Sequence, residues 1–174
     1  MTPEDRQLIL SLVSVPGRAA EGSKKELLDH FGASDGSTLG LELLLDASRR
    51  RDRIDVEMAL IVANIFGVTP EYLSPLSLLV TADWHEKHED VVSAIGGLHD
   101  PCTVSQLFEA TQFIPDYLDY DESRALARKA IWALGSIPGR DAEKALIRLL
   151  GSDDEILREE AQGQLGRRNT QNSR

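Results

Sequence analysis

The chain has 174 residues, of which 41% are hydrophobic and 28% charged, so its composition excludes global disorder. Its formal net charge of -10 argues against nucleic-acid binding, and its apolar runs are too short to span a membrane. The acidic beginning of the chain is unlike a basic signal peptide, and a single cysteine leaves no intramolecular disulfide. We therefore expect a cytoplasmic protein.

Capping residues, prolines and glycines divide the first half of the chain into five short helices. These helices are expected over residues 3–15, 23–31, 37–45, 52 or 55 to 66, and 71–82. Gly32 and Gly67 end two of them, and Thr69-Pro70 begins the fifth. No segment has the alternating pattern of a strand.

Five more helices are expected in the second half, over residues 85–98, 103–113, 123–137, 142–150 and 152–166. The breaks fall at Asp100-Pro101, in a loop around residues 115–120, and at Pro138-Gly139. The polar residues 167–174 are predicted to form a disordered tail, which leaves residues 1–166 as a single helical domain.

Two offsets relate helices of the second half to one another. Ala130, Leu134 and Gly135 recur 31 residues later, and Gly96 matches Gly135 at an offset of 39. Such spacing is typical of stacked helix pairs, in which small residues let neighbouring pairs approach closely. The repeat register predicts a shared core of Ala130, Leu134, Leu146, Ile147, Leu150 and Leu165.

Residues 123–166, with Ala133-Leu-Gly-Ser-Ile-Pro-Gly at their centre, resemble a bacterial-type HEAT repeat followed by half of the next. The resemblance is fainter over residues 85–112 and weak before residue 84. It implies an all-α fold, a HEAT-like right-handed α-solenoid of about five antiparallel helix pairs with a concave binding face. HEAT-like proteins include scaffolds, adaptors, bacterial immunity proteins, some DNA glycosylases and pigment lyases, so the resemblance indicates architecture more than activity.

Negative charge is concentrated in the middle of the chain. Between Arg53 and Arg124 there are 13 acidic residues and one basic residue, Lys87. Within this stretch, residues 113–122 place two tyrosines among four carboxylates, as expected of a surface that binds a basic protein. The predicted partner-binding residues are Asp116, Tyr117, Asp119, Tyr120, Asp121 and Glu122. The alternative is a connecting loop in which Tyr117 tucks onto the core and Asp121 or Ser123 caps the next helix.

Two features carry groups that catalysis or metal binding can use. His85, His88 and Glu89 share a helix face and can meet one ion, but a solvated helix start explains them better. Cys102, with His99 nearby, can be a nucleophile, but a small buried residue between helices is the favoured interpretation. We predict no metal and no cofactor.

Two further features are interpreted structurally. The basic run Arg49–Arg53 can contact phosphate, but basic residues at a helix C-terminus are ordinary dipole partners. Trp132 is expected in the core rather than at a contact surface.

Together these patterns predict a non-enzymatic protein-binding module with an acidic surface. Its most concrete form is a bacterial immunity or antitoxin-like protein that masks a basic toxin such as a nuclease. The alternatives are a scaffold or regulatory adaptor, and an enzyme such as a DNA glycosylase or pigment lyase. A glycosylase requires a cationic groove for phosphates, which the acidic middle of the chain opposes. The sequence does not fix the oligomeric state.

Overall fold

The computed structural model describes residues 1–17 and 19–172, with side chains through residue 170. Apart from an isolated β-bridge residue at Val15, the described residues form helices and the turns between them, so the predicted all-α fold is confirmed. The α-helices are α1 (Pro3–Ser11), α2 (Lys24–Phe31), α3 (Gly36–Arg50), α4 (Arg53–Phe66), α5 (Leu73–Leu79), α6 (His88–Gly97), α7 (Val104–Gln112), α8 (Ala125–Ser136), α9 (Arg140–Leu149) and α10 (Glu155–Asn172). Short 3₁₀ helices cover Pro70–Tyr72, Pro101–Thr103 and Asp116–Leu118.

The chain forms two compact units, Met1–Pro75 and Leu76–Arg174. In the first unit, α3 and α4 pack together, α1 lies against α4, and α2 lies against α3. Capping boxes at Thr2 and Ser23 begin α1 and α2, as expected, because each hydroxyl accepts the N–H three residues later. That residues 1–166 act as a single domain remains a prediction.

In the second unit, α8 packs against four helices, α6, α7, α9 and α10. Two glycines permit the close approach of these helices. A Cβ on Gly96 would lie 2.7 Å from the Cβ of Ala133, and one on Gly135 would lie 2.3 Å from Gln164 Oε1. Gly96 and Gly135 are the pair related by the 39-residue offset, and each faces the corresponding helix of the next pair.

The expected shared core is correct in part. Ala130, Leu134 and Leu146 are fully buried, but Ile147 is 53% exposed, and Leu150 and Leu165 are only half-buried. Ile147 was therefore placed wrongly. Because 3.6 residues complete a helical turn, the buried stripe of α9 runs through Ala142, Ala145, Leu146 and Leu149, and Ile147 lies outside it.

The last helix is longer than expected. It continues past Gly166 to Asn172, so residues 167–172 are helical rather than a disordered tail, and residues 173–174 lie outside the described part. Arg168 stabilises this part of α10 by contacts with α8 and the turn after it. Its guanidinium donates to four carbonyl oxygens at the end of α8 and the following turn, at distances of 2.5–3.4 Å: those of Leu134, Gly135, Ile137 and Gly139. The last carbonyl groups of a helix have no hydrogen-bond donor within the helix, and the Arg168 guanidinium supplies donors for those of α8.

Candidate protein-binding surface

The loop of residues 113–122 connects α7 to α8 and is held by successive turns. The Leu118 N–H donates to the Pro115 carbonyl at 2.8 Å, and the Asp121 N–H donates to the Leu118 carbonyl at 3.0 Å. Pro115 is buried, whereas Asp116 and Asp119 are exposed. The segment is thus a defined turn that presents carboxylates, and its side chains divide into an inward and an outward set.

Tyr117 belongs to the inward set. Its hydroxyl lies 3.1 Å from Nδ1 of His88, and the two rings stack with centroids 5.6 Å apart. Burial raises the pKa of Tyr117, and the nearby negative charges of Glu89, Glu86 and Asp90 raise it further. Tyr117 is therefore a neutral phenol that ties the loop to the start of α6.

His88 and His85 form a buried stacked pair, with ring centroids 4.2 Å apart. Nε2 of His85 lies 2.8 Å from the Leu79 carbonyl, and Nε2 of His88 lies 2.9 Å from the Ala82 carbonyl. Each Nε2 must carry a proton to make these bonds, so in the neutral rings Nδ1 is an acceptor. It accepts from the Lys87 N–H in His85 and from the Tyr117 hydroxyl in His88.

This arrangement corrects the expectation of a solvated helix start. His85 is 2% exposed and His88 is fully buried, and burial lowers the pKa of both, that of His88 to about 4. Both rings are neutral near pH 7. In the described part of the chain, no three histidine, cysteine or acidic side chains are grouped so as to hold a metal ion. No local pattern predicts that this pair is buried, because Tyr117, the hydrogen-bond partner of His88, lies 29 residues away in the chain.

Asp121 also has a role within the chain. Its carboxylate accepts hydrogen bonds from the Ser123 N–H at 3.1 Å, the Ser123 hydroxyl at 2.5 Å and the Ala125 N–H at 2.7 Å. The hydrogen bond from the Ser123 hydroxyl, followed by that from the Ala125 N–H, lowers the pKa of Asp121. Asp121 thus satisfies an N–H group at the start of α8 that the helix leaves unpaired.

The outward set consists of Asp116, Asp119, Tyr120 and Glu122. Tyr120 is 77% exposed, and the three carboxylates are exposed as well. The contact between Tyr117 and His88 also brings Tyr117 near three carboxylates at and just before the first turn of α6, those of Glu86, Glu89 and Asp90. We name the combined region the acidic surface; it comprises Glu86, Glu89, Asp90, Asp116, Asp119, Tyr120 and Glu122.

An open groove between α6 and α8 adjoins the acidic surface. It is lined by Glu89, Ser123, Ala125, Arg128, Lys129 and Trp132. Trp132 is 52% exposed, so its expected place in the core is wrong. Its indole N–H donates to Glu160 at 2.8 Å, and the guanidinium carbon of Arg167 lies 4.4 Å from its ring centroid. These polar partners from α10 stabilise an aromatic ring at the surface.

The candidate nucleophile Cys102 lies in the 3₁₀ helix Pro101–Thr103. Cys102 is exposed rather than buried, and its hydrogen bond with the Asp100 carboxylate, together with that negative charge, raises the pKa of the thiol. A raised pKa disfavours the thiolate that a nucleophile needs.

The basic run of residues 49–53 forms ion pairs within the first unit. Arg50 contacts the carboxylates of Asp46, Asp52 and the fully buried Asp55, at distances of 2.5–3.2 Å. Arg49 contacts Asp46 at 3.4 Å. These pairs support the structural interpretation of the run over phosphate binding.

One comparison with known proteins, against protein-family models, found a match. Residues 112–174 match the family model for HEAT repeats. The matched segment covers the loop of residues 113–122 together with α8, α9 and α10, and with the all-helical structure it identifies a HEAT-repeat-like fold. The comparison with curated proteins found no match, and neither did the comparison with solved structures. In the described part of the chain, no helix combines the length and apolar character that a membrane span requires.

Proposed function

We propose that the chain is a non-enzymatic protein-binding module whose acidic surface receives a basic protein partner. HEAT repeats are generally protein-interaction modules, and the HEAT-like segment contains the loop of residues 113–122. The observation that carries the proposal is that Glu86, Glu89 and Asp90 act electrostatically on Tyr117, whose neighbours in the loop include the exposed Tyr120 and three exposed carboxylates. An aromatic anchor surrounded by charge is a common centre of a protein interface.

The contacts of the loop refine which residues take part. Asp116, Asp119 and Glu122 steer the approach of a basic partner, and Tyr120 contributes apolar area once the complex has formed. Tyr117 and Asp121 keep the loop in place through their contacts with His88 and the start of α8. A role for these two in direct contact with the partner remains a prediction.

The specific form of the proposal is an immunity or antitoxin-like protein that masks a basic bacterial toxin such as a nuclease. The high negative charge supports this form, because a nuclease that binds nucleic acid has a cationic surface of its own. Covering that surface would prevent substrate binding. A scaffold or adaptor would use the same acidic surface toward a different basic protein.

The test begins by recovering the partner from native host extract with the chain as bait, and then measures binding kinetics with the purified partner. The variant Asp116→Asn, Asp119→Asn, Glu122→Gln removes three exposed charges and leaves Asp121 intact. A matched control, Asp141→Asn, Asp153→Asn, Glu143→Gln, removes the same charge from exposed positions in α9 and before α10.

We expect the loop variant to slow association by about tenfold at low salt, with a smaller difference as salt rises, because exposed charges are screened. The control should bind much as the parent does. An acidic partner, or equal association rates for the two variants, would contradict the proposal. For the specific form, an equimolar amount of the chain should suppress the activity of a recovered nuclease.

A further inference from the structure

The loop of residues 113–122 covers the buried ring of His88. The Tyr117 ring stacks with it at a centroid distance of 5.6 Å, and the Phe113 ring lies 5.2 Å from it at a tilted angle. Both aromatic residues belong to the loop, and His88 itself is fully buried. Moving the loop away would therefore admit water to a ring that has no contact with solvent in the closed arrangement.

The hydrogen bonds of the histidine pair fit two neutral rings. The four ring nitrogens of His85 and His88 are bonded to two carbonyl groups, the Lys87 N–H and the Tyr117 hydroxyl. A protonated His88 would carry a proton on both nitrogens, so the Tyr117 hydroxyl would have to turn from donor to acceptor. The added charge would also lie beneath the loop, beside a second imidazole whose centroid is 4.2 Å away.

Charged side chains are carried by the elements around the pair. They lie on the segment before α6, on α6, on α7 and in the loop, and α8 contributes Lys129 through its ion pair with Glu89 at 3.1 Å. They are Asp83, Glu86, Lys87, Glu89, Asp90, Glu109, Asp116, Asp119 and Lys129. At the four ring nitrogens the partners are uncharged, so a proton added there gains no carboxylate at these contacts.

We propose that Tyr117, His88 and His85 form an acid-sensitive latch, which holds the loop of residues 113–122 closed at neutral pH and releases it when His88 takes up a proton. With the loop closed, burial first and then the nearby His85 lower the pKa of His88 to about 4, whereas an exposed histidine has a pKa near 6.5. Between these two pH values the open loop binds a proton that the closed loop excludes, so acid favours opening.

The latch has a consequence for partner binding. Tyr117 holds the segment that carries the outward side chains, so a partner bound to the acidic surface would be released as the loop opens. This consequence rests on the proposed function. The latch does not, and it is tested without a partner.

Hydrogen–deuterium exchange of the full chain, followed by mass spectrometry, measures loop opening directly. Exchange of residues 113–122 is compared with that of α9 at pH 7.5 and 5.5, after correction for the intrinsic pH dependence of amide exchange. Repeating the measurement in about 1 M urea separates local opening, which urea affects little, from global unfolding. The variants are His88→Asn, Tyr117→Phe and the matched control Tyr120→Phe, which removes a hydroxyl from a ring that is 77% exposed.

We expect loop opening in the parent to increase about tenfold from pH 7.5 to pH 5.5, because the two pKa values of His88 set the proton uptake. Low urea should leave loop exchange nearly unchanged while it accelerates exchange of α9. His88→Asn should remove most of the pH response. Tyr117→Phe should increase opening at pH 7.5 about threefold to tenfold, as expected for one lost hydrogen bond, and Tyr120→Phe should not.

Three results would overturn the latch: equal loop opening at the two pH values, a full pH response in His88→Asn, or loop exchange as sensitive to urea as that of α9. If His88→Asn does not fold, as judged by circular dichroism, the comparison of the two tyrosine variants decides. Equal loop opening in Tyr117→Phe and Tyr120→Phe at pH 7.5 then refutes the latch. An acid-opened loop in a chain that captures no basic protein would leave the latch standing and remove the proposed function.

Discussion

Lowering the pH should reduce the free energy of unfolding of the second unit, because burial disfavours protonation of His88 in the folded state. In the folded protein, burial first and then the nearby His85 lower the pKa of His88 from 6.5 to about 4. Between these two pH values the unfolded chain binds the proton and the folded chain does not. The free energy of unfolding therefore rises with pH across this window and is fully recovered above pH 6.5.

The size of the effect follows from the two pKa values. One pKa unit corresponds to about 1.4 kcal/mol, so lowering the pH from about 7.5 to about 5 should reduce the contribution of His88 by about 2 kcal/mol. His88 is fully buried, so solvent screening does not diminish this contribution. His85, whose pKa burial also lowers, acts in the same direction. The carboxylates with lowered pKa values, such as Asp55 at about 2, act only at more acidic pH.

The assay is urea denaturation at several pH values, followed by circular dichroism, for the parent and for His88→Asn. Asparagine retains a donor and an acceptor but does not titrate, so its unfolding free energy should vary less with pH. The difference between the two proteins isolates His88 from the general relief of charge repulsion at low pH. Parallel pH dependences for the parent and His88→Asn would refute the argument that the ring is held neutral.

Two further substitutions test contacts that hold the second unit together. Arg168→Ala should lower the free energy of unfolding by about 1–3 kcal/mol in urea denaturation, because it leaves the carbonyls at the end of α8 without their donor. An unchanged urea midpoint would show that water satisfies these carbonyls as well as the Arg168 guanidinium does. Asp121→Ala should lower the free energy of unfolding by about 1 kcal/mol, because the Ala125 N–H at the start of α8 loses its acceptor. The exposed Asp119→Ala should change the melting temperature little. Equal melting temperatures for these two variants would show that the cap contributes nothing.

The sequence predicted the helical class and most boundaries because capping signals are local. Thr2 and Ser23 begin helices as expected, and Asp52 rather than Asp55 is the cap of α4. The end of α10 was missed because its stabilising contact is distant. Arg168 binds carbonyls 29–34 residues away, and the polar composition of residues 167–172 gave no sign of it.

The repeat offsets predicted packing better than they predicted burial of individual side chains. Gly96 and Gly135 occupy equivalent places, since a Cβ on Gly96 would meet the Cβ of Ala133 and one on Gly135 would meet the side chain of Gln164. The misplacement of Ile147 and Trp132 has a different cause. Both are large apolar residues, and hydrophobicity alone favours the core, but exposed apolar residues are common on folded proteins. The partners of Trp132, Glu160 and Arg167, come from another helix and were not foreseeable from its own segment.

The candidate loop shows how far a local pattern can specify a site. Its mixture of tyrosines and carboxylates predicted six binding residues, and two of them also make side-chain contacts within the chain. Tyr117 bonds to His88 and Asp121 caps α8, so both positions are constrained by the fold. Asp116, Asp119, Tyr120 and Glu122 carry no such constraint from α6 or α8 in the described contacts, and the proposal therefore assigns partner contact to them. The inward pair thus fixes the turn, and rigidity of this kind lowers the entropy lost when the outward side chains bind.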